Sequence, residues 1–242
     1  MEFSAKSDKG QVRKINQDSF GYYTAEVGAS FFIVADGMGG HNAGEVASAV
    51  AVHTFIDGAK ADDCRKNLKK IPEFINSTFQ KANDIILYKA AAEPGFIGMG
   101  TTAVAAVVTD RKLMIGNLGD SRAYLVSKHT IRQITIDHSY VELLLKAGSI
   151  GAEEAKNHPR RNEITKALGI RNYSQPDLFE CDYQTGDVLI LCSDGLNKMI
   201  EDAAILEIVT GSCEPDAICR HLIDAANEHG GLDNITVITV AL

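Results

Sequence analysis

Asp36, Asp120, Asp194 and Asp233 each stand among glycines or other small residues, beside an apolar run. They sit in Phe31-Phe32-Ile33-Val34-Ala35-Asp36-Gly37, Gly116-Asn117-Leu118-Gly119-Asp120, Leu189-Ile190-Leu191-Cys192-Ser193-Asp194-Gly195 and Gly230-Gly231-Leu232-Asp233-Asn234-Ile235. Apolar runs of this length read as buried strands, so each carboxylate lies where a core strand meets the surface. A single such residue is ordinarily part of a turn, because Asp and Gly suit turn geometry. Several of them, fed from strands far apart in the chain, point to carboxylates gathered at one end of a sheet. Carboxylates that converge repel one another unless a cation lies between them. Oxygen donors with no His or Cys at ligand spacing favour a hard ion, Mg²⁺ or Mn²⁺, over zinc. The expectation is a metal-dependent enzyme.

Arg13-Lys14-Ile15-Asn16-Gln17-Asp18 brings an arginine and a further carboxylate toward the same edge. The planar guanidinium matches phosphate oxygens, which makes Arg13 a natural anchor for a phosphoryl group beside a carboxylate cluster. Gly37-Met38-Gly39-Gly40 lacks the Lys-Ser/Thr ending of a nucleotide P-loop and the spacing of a dinucleotide fold. Its glycines instead let the backbone come close to a metal, so that the Gly37 carbonyl can itself be a ligand.

These residues need a frame. Strands are expected near 2–8, 19–25 and 30–36, then a turn over Gly37–His41 and a helix from about Ala43 to Gly58. A second helix begins near Pro72 and carries Ile75, Thr78, Phe79, Ala82, Ile85 and Ile86 on one face. Strands near 101–109, 112–118, 122–127 and 130–134 follow, with tight antiparallel turns at Asp110-Arg111 and Lys128-His129, and Asp120 is assigned to a strand pair. From Asp137 to Leu168 the pattern turns helical and polar, broken at Gly148, Gly151 and His158-Pro159, as expected of an inserted flap. Strands near 177–183 and 187–193, helices near 201–210 and 215–229, and a last strand from Ile235 complete the chain. Antiparallel strands with two helix pairs predict a two-sheet core faced by helices, as one domain.

The 242 residues are 45% hydrophobic, ample for a real core, and the net charge of −8 argues against nucleic acid or an anionic membrane as the main partner. The five cysteines form no CxxC pair, and Cys192 lies inside an apolar strand, so a reduced cytoplasmic setting is expected. The opening residues Met1-Glu2-Phe3-Ser4-Ala5-Lys6 contain no signal-like apolar stretch. No run approaches the roughly 20 apolar residues of a membrane helix.

Several motifs occur together in order: Arg13 with Asn16-Gln17-Asp18, Val34-Ala35-Asp36-Gly37-Met38-Gly39-Gly40-His41, Gly98-Met99-Gly100-Thr101-Thr102, Gly119-Asp120-Ser121-Arg122, Cys192-Ser193-Asp194-Gly195-Leu196 and Asp233-Asn234-Ile235-Thr236. The set closely resembles the bacterial branch of the metal-dependent serine/threonine protein phosphatases (type 2C), over about residues 3 to 240. The insert resembles that branch too, through Asp137-His138-Ser139 and the run from His158 to Gly169.

The resemblance implies an α+β fold, a four-layer αββα sandwich of two mainly antiparallel sheets, in one domain over 1–242 with a flap subdomain at about 137–174. It implies that Asp36 bridges two Mn²⁺ or Mg²⁺ ions, with the Gly37 carbonyl on one and Asp194 and Asp233 on the other. Asp18 would lie beside them, Arg13 would hold the phosphate, and Asp120 with Asp194 would match a third, weaker metal position. The reaction implied is hydrolysis of phosphoserine and phosphothreonine by a metal-bridging water, without a phosphoenzyme. The implied partners are phosphorylated proteins, a eukaryotic-like serine/threonine protein kinase among them.

One departure stands out. Many relatives carry a histidine thought to protonate the leaving alcohol where this chain has Met38. His41 is a candidate for that role, with a water on a metal the stronger one. His53 is expected to pack against apolar neighbours, and His158 to make a local hydrogen bond. Two alternatives stand beside the phosphatase: an inactive phosphopeptide-binding module, and a two-metal phosphoesterase for small phosphoesters. The first should have lost a metal carboxylate or Arg13, and all are present.

Overall fold

The computed structural model describes residues 1–25, 28–39, 43–61 and 68–242. His41 and Cys64 therefore lie outside the described residues. The strands are β1 (Glu2–Asp8), β2 (Asp18–Thr24), β3 (Ser30–Met38), β4 (Gly100–Thr101), β5 (Ala103–Val108), β6 (Lys112–Leu118), β7 (Arg122–Ser127), β8 (Thr130–Gln133), β9 (Asp177–Asp182), β10 (Val188–Cys192) and β11 (Ile235–Ala241). The helices are α1 (Gly44–Ala61), α2 (Ile71–Ala92), α3 (Tyr140–Lys146), α4 (Ala152–Asn157), α5 (Asp194–Asn197), α6 (Asp202–Thr210) and α7 (Pro215–Glu228).

Two sheets form, in the orders β1-β11-β10-β7-β8 and β2-β3-β5-β6-β9, with β4 added to β3. Every pairing is antiparallel. Strand alternation explains the layering, since successive side chains point to opposite faces. On β3, Phe32 and Val34 meet Leu189, Leu191, Ile238 and Val240 of the other sheet in the central core. Phe31 and Ile33 point the other way, into a cluster with Phe55 of α1 and with Phe74, Ile75 and Phe79 of α2. Tyr124, Ile190 and Val237 do the same on the far face, against Ile205 of α6 and Leu222 of α7. The result is the expected four-layer αββα sandwich. A strand buried on both faces is why β3 and β10 are continuous apolar runs rather than alternating ones.

Several expectations need correcting. Gly37 and Met38 are not a turn but the end of β3, because β4 pairs with them in the register Gly37 to Thr101 and Met38 to Gly100. Asp120 does not belong to a strand pair. It sits in the link between β6 and β7, which lie in different sheets. The crossover turns at Gly119, whose φ of +117° favours a residue without Cβ, and a side chain there would collide with Thr102. Helix α5, directly after Ser193, is not among the elements expected from the sequence. On α2, Phe74 and Asn83 complete the buried stripe that Ile85 only partly joins. His53 is exposed rather than packed, because its position on α1 turns away from β3. His158 makes the expected local bond, accepting from the Arg160 amide at 3.1 Å.

The insert between β8 and β9 carries α3 and α4 and is tied down at both ends. Arg122 grips Asp137 with Nε and Nη2, at 2.9 and 2.7 Å. The Gly169 amide donates to Asn83 Oδ1 of α2 at 2.8 Å. Ser139 caps α3 by accepting from the Glu142 amide at 3.2 Å. Among the described residues no helix is long and apolar enough to cross a membrane.

Candidate active site

Asp36 lies near the end of β3, fixed by its backbone. Its amide donates to Thr102 Oγ1 at 3.0 Å, and its carbonyl accepts from the Thr102 amide and from Thr101 Oγ1, both at 2.9 Å. The Gly100-Thr101-Thr102 motif thus serves to hold Asp36. Asp18 is the register partner of Asp36 on β2, so the two side chains share one face of the sheet. Gly37 must be glycine for a packing reason. A Cβ there would collide with the carbonyls of Gly44 and Gln17.

The second sheet supplies the remaining carboxylates from the same end. Asp194 opens α5, with only Ser193 between it and β10, and Asp233 precedes β11 with only Asn234 between. Ser193 and Thr236 reach across to the first sheet: each hydroxyl donates to Asp18 Oδ2 at 2.7 Å. Asn234 locks the loop that carries Arg13. Its Oδ1 accepts from the Gln17 amide at 2.8 Å, and its Nδ2 donates to the carbonyls of Lys9 and Ile15, both at 2.9 Å. Arg13 Nη2 donates to Asp233 Oδ2 at 2.6 Å. Lys198, the residue after α5, bonds Asp194 Oδ2 and approaches Asp120 Oδ2 at 3.3 Å.

Asp18, Asp36, Asp120, Asp194 and Asp233 therefore converge, and the energetic consequence is clear. Burial pushes Asp36 well above the usual carboxylate range, and repulsion from Asp18, Asp194, Asp120 and Asp233 pushes it further. Burial lifts Asp18 to about 7, opposed by the Thr236 and Ser193 hydroxyls and reinforced by Asp194 and Asp233. Burial and Asp194 lift Asp120 to about 6, against the pull of Lys198. These groups are held in an arrangement that disfavours their own ionised state, which only added positive charge can relieve.

Two observations bear on whether the site suits hard cations. Asp18 Oδ1 and Asp194 Oδ1 are buried and have no hydrogen-bond partner among the described residues, an arrangement costly for carboxylates unless something else satisfies them. The donor set is also oxygen throughout, as Mg²⁺ and Mn²⁺ prefer. The residues fit such ions. Still, among the described residues no three Asp, Glu, His or Cys side chains form a ready-made cage. Arg13 and Lys198 already engage Asp233, Asp194 and Asp120.

The cluster floors a cleft of about 420 Å³, lined also by Arg13, Met38 and the insert residues Arg161 and Asn162. Of the site residues read from the sequence, Arg13, Asp18, Asp36, Gly37, Asp120, Asp194 and Asp233 come together, and His41 lies outside the described residues. Sequence reasoning missed Lys198, Ser193, Thr236 and Asn234 as supporting groups. The spacing of Asp194 and Lys198, four residues apart, is the one signal that could have pointed to the lysine.

The family described as Protein phosphatase 2C matches residues 9–218. The serine/threonine phosphatase stp of Listeria monocytogenes is 40% identical over 240 residues, spanning 99% of this chain and 95% of that one. The crystal structure of serine/threonine phosphatase Stp1 from Staphylococcus aureus superposes with a TM-score of 0.94 at 34% identity, spanning 100% of this chain and 94% of that one. The catalytic domain of the serine/threonine protein phosphatase PstP, crystallised in complex with two manganese ions, superposes with a TM-score of 0.85 at 33% identity, spanning 98% and 96%. The chain belongs to the protein phosphatase 2C family and is a metal-dependent serine/threonine protein phosphatase.

Proposed function

We propose that the carboxylate cluster holds a pair of Mn²⁺ or Mg²⁺ ions and that phosphoserine and phosphothreonine of partner proteins are hydrolysed in the cleft above it. The observation that carries this reading is the pair of buried, unpartnered oxygens, Asp18 Oδ1 and Asp194 Oδ1, within one acidic cluster. Two such ions lower the pKa of water and clamp both oxygens of an in-line displacement.

The chain's own residues do the rest. Asp36, between Asp18 on the neighbouring strand and the loops of the second sheet, is suited to bridge the ions. The Gly37 carbonyl would serve one ion, and Asp194 and Asp233 the other. Asp18 is held by Ser193 and Thr236, which bond Oδ2 and leave the buried Oδ1 without a hydrogen-bond partner among the described residues, free for an ion. Arg13, with its side chain 52% exposed and one nitrogen on Asp233, keeps the rest of its fork for a phosphoryl group. Met38 lines the cleft and has no proton to give, so His41 is the candidate among side chains to protonate the leaving alcohol. Asp120 with Asp194 would hold a third, weaker cation.

We further read residues 1–242 as a single phosphatase domain with a flap subdomain at about 137–174, acting in the cytoplasm. A eukaryotic-like serine/threonine protein kinase and its substrates are the partners this reading expects. The test compares a phosphothreonine protein, a nucleotide and an aryl phosphate, each with and without Mn²⁺. Mn²⁺-dependent turnover strongest on the phosphoprotein is the expected result. Preference for the nucleotide would favour a small-molecule phosphoesterase, and binding of the phosphoprotein without turnover would favour an inactive module.

A further inference from the structure

Lys198 is placed by the backbone of the site itself. Directly after α5, it donates its amide to the Asp194 carbonyl at 2.9 Å. One helical turn separates the two side chains, so the ammonium folds back onto Asp194 Oδ2. There it also meets Asp120 Oδ2 at 3.3 Å, a carboxylate delivered by the crossover between the two sheets. Both acids are nearly closed to solvent, with side chains 6% and 11% exposed for Asp120 and Asp194, whereas the lysine side chain is 30% exposed. Burial works against the lysine's charge, but the two carboxylates more than offset it and raise its pKa. The ammonium is therefore held charged between the two acids to which the third metal position is assigned above. A lysine ammonium is a compact point charge with three donors on a flexible stem, so it can fill a cation position and can also be displaced from it. Lys198 lines both the main cleft and a second cleft of about 510 Å³ bounded by Arg122, Asp137 and Glu201, which gives the displaced side chain somewhere to go.

We infer that Lys198 is a tethered cation that occupies the position between Asp120 and Asp194, competes there with a third divalent ion, and so sets how readily this phosphatase takes one up. The inference rests on the metal reading proposed above. A neutral residue at 198 would leave Asp120 and Asp194 without a counter-charge and open the position to a metal. An arginine would keep it closed. Asp194 would make a different contribution to the proposed ion pair through Oδ1, which is buried without a hydrogen-bond partner among the described residues, whereas Lys198 bonds Oδ2.

The test is a calorimetric Mn²⁺ titration of the full chain, with the number of ions bound checked by elemental analysis. The wild type is expected to hold two ions tightly and a third weakly. In Lys198→Gln the third should bind at least roughly tenfold more tightly, about 1.4 kcal/mol. Lys198→Arg should behave as the wild type, and Asp120→Asn combined with Lys198→Gln should lose the gain. If Lys198→Gln fails to fold, Lys198→Met, which keeps the aliphatic stem, takes its place. A third-ion affinity unchanged in the neutral variant, with the first two ions intact, overturns the inference alone. Absence of tight Mn²⁺ in the wild type overturns the metal reading and the inference with it.

Discussion

Removing the metals should make this protein's stability fall as pH rises through the neutral range, and the size of the effect follows from the crowded carboxylates. Asp18 titrates at about 7 in the folded chain, against 3.8 for an ordinary aspartate, and Asp120 at about 6. A folded-state pKa raised above the unfolded value gives stability that is complete below the unfolded pKa and is lost as pH rises through the folded one. Between about pH 5 and about pH 8 the unfolded carboxylates stay ionised while the folded ones release their protons. Each proton of difference is worth ~1.4 kcal/mol per pH unit, so Asp18 accounts for at most about 3 kcal/mol and Asp120 for about 1. Asp194 contributes to both shifts, so the two overlap rather than add. For a chain of this size, about 3 kcal/mol corresponds to roughly 6–12 °C in Tm. His138 works the other way. Burial lowers its pKa, and its contribution is gained as pH rises. Thermal melts in chelator across this range, for wild type and Asp18→Asn, cancel His138 and leave Asp18 together with the repulsion it exerts on Asp36. The wild type should lose Tm more steeply than the variant, and saturating Mn²⁺ should abolish the difference in slope. Parallel curves for the two proteins without metal would refute the reasoning.

Asp36→Asn keeps the shape but removes the charge that two cations would share, so turnover should fall more than about tenfold, or ~1.4 kcal/mol in barrier, with an unchanged circular dichroism spectrum. Arg13→Ala should raise KM for a phosphopeptide while Mn²⁺ affinity holds; an unchanged kcat/KM would make Arg13 a surface residue. Thr236→Val removes one of the two hydroxyls on Asp18 Oδ2 and should cost about 1 kcal/mol of stability and weaken Mn²⁺ binding, both readable by calorimetry. Alkylation should reach the exposed Cys213 and leave activity intact, because Cys192 and Cys219 are buried and burial pushes the Cys192 thiol up to about 12.

What the sequence shows clearly is what rests on local periodicity. The apolar runs of β3 and β10 locate Asp36 and Asp194, because a strand buried on both faces leaves an unbroken signal that ends at the carboxylate. The expected strands and helices consequently fall within a few residues of those observed. The errors fall where distant pairing decides. Met38 is strand only because β4, more than sixty residues on, pairs with the end of β3. Asp120 looks like part of a hairpin because a short link between two strands suggests one, yet β6 and β7 belong to separate sheets. The supporting groups were hidden for the same reason. Ser193 and Thr236 look like ordinary strand-end hydroxyls until the second sheet brings them onto Asp18. Lys198 differs: its partner Asp194 is one helical turn away, a local spacing that becomes a signal once α5 is recognised as a helix.

The carboxylate cluster drawn from both sheets is proposed to be a two-metal site. Anomalous diffraction from a crystal soaked in Mn²⁺ tests it most directly. Two strong peaks are expected to flank Asp36, one within ligand reach of the Gly37 carbonyl and the other of Asp194 and Asp233, with Arg13 turned away from Asp233. Peaks elsewhere on the surface, or an undisturbed Arg13–Asp233 pair with no metal among these carboxylates, would contradict it.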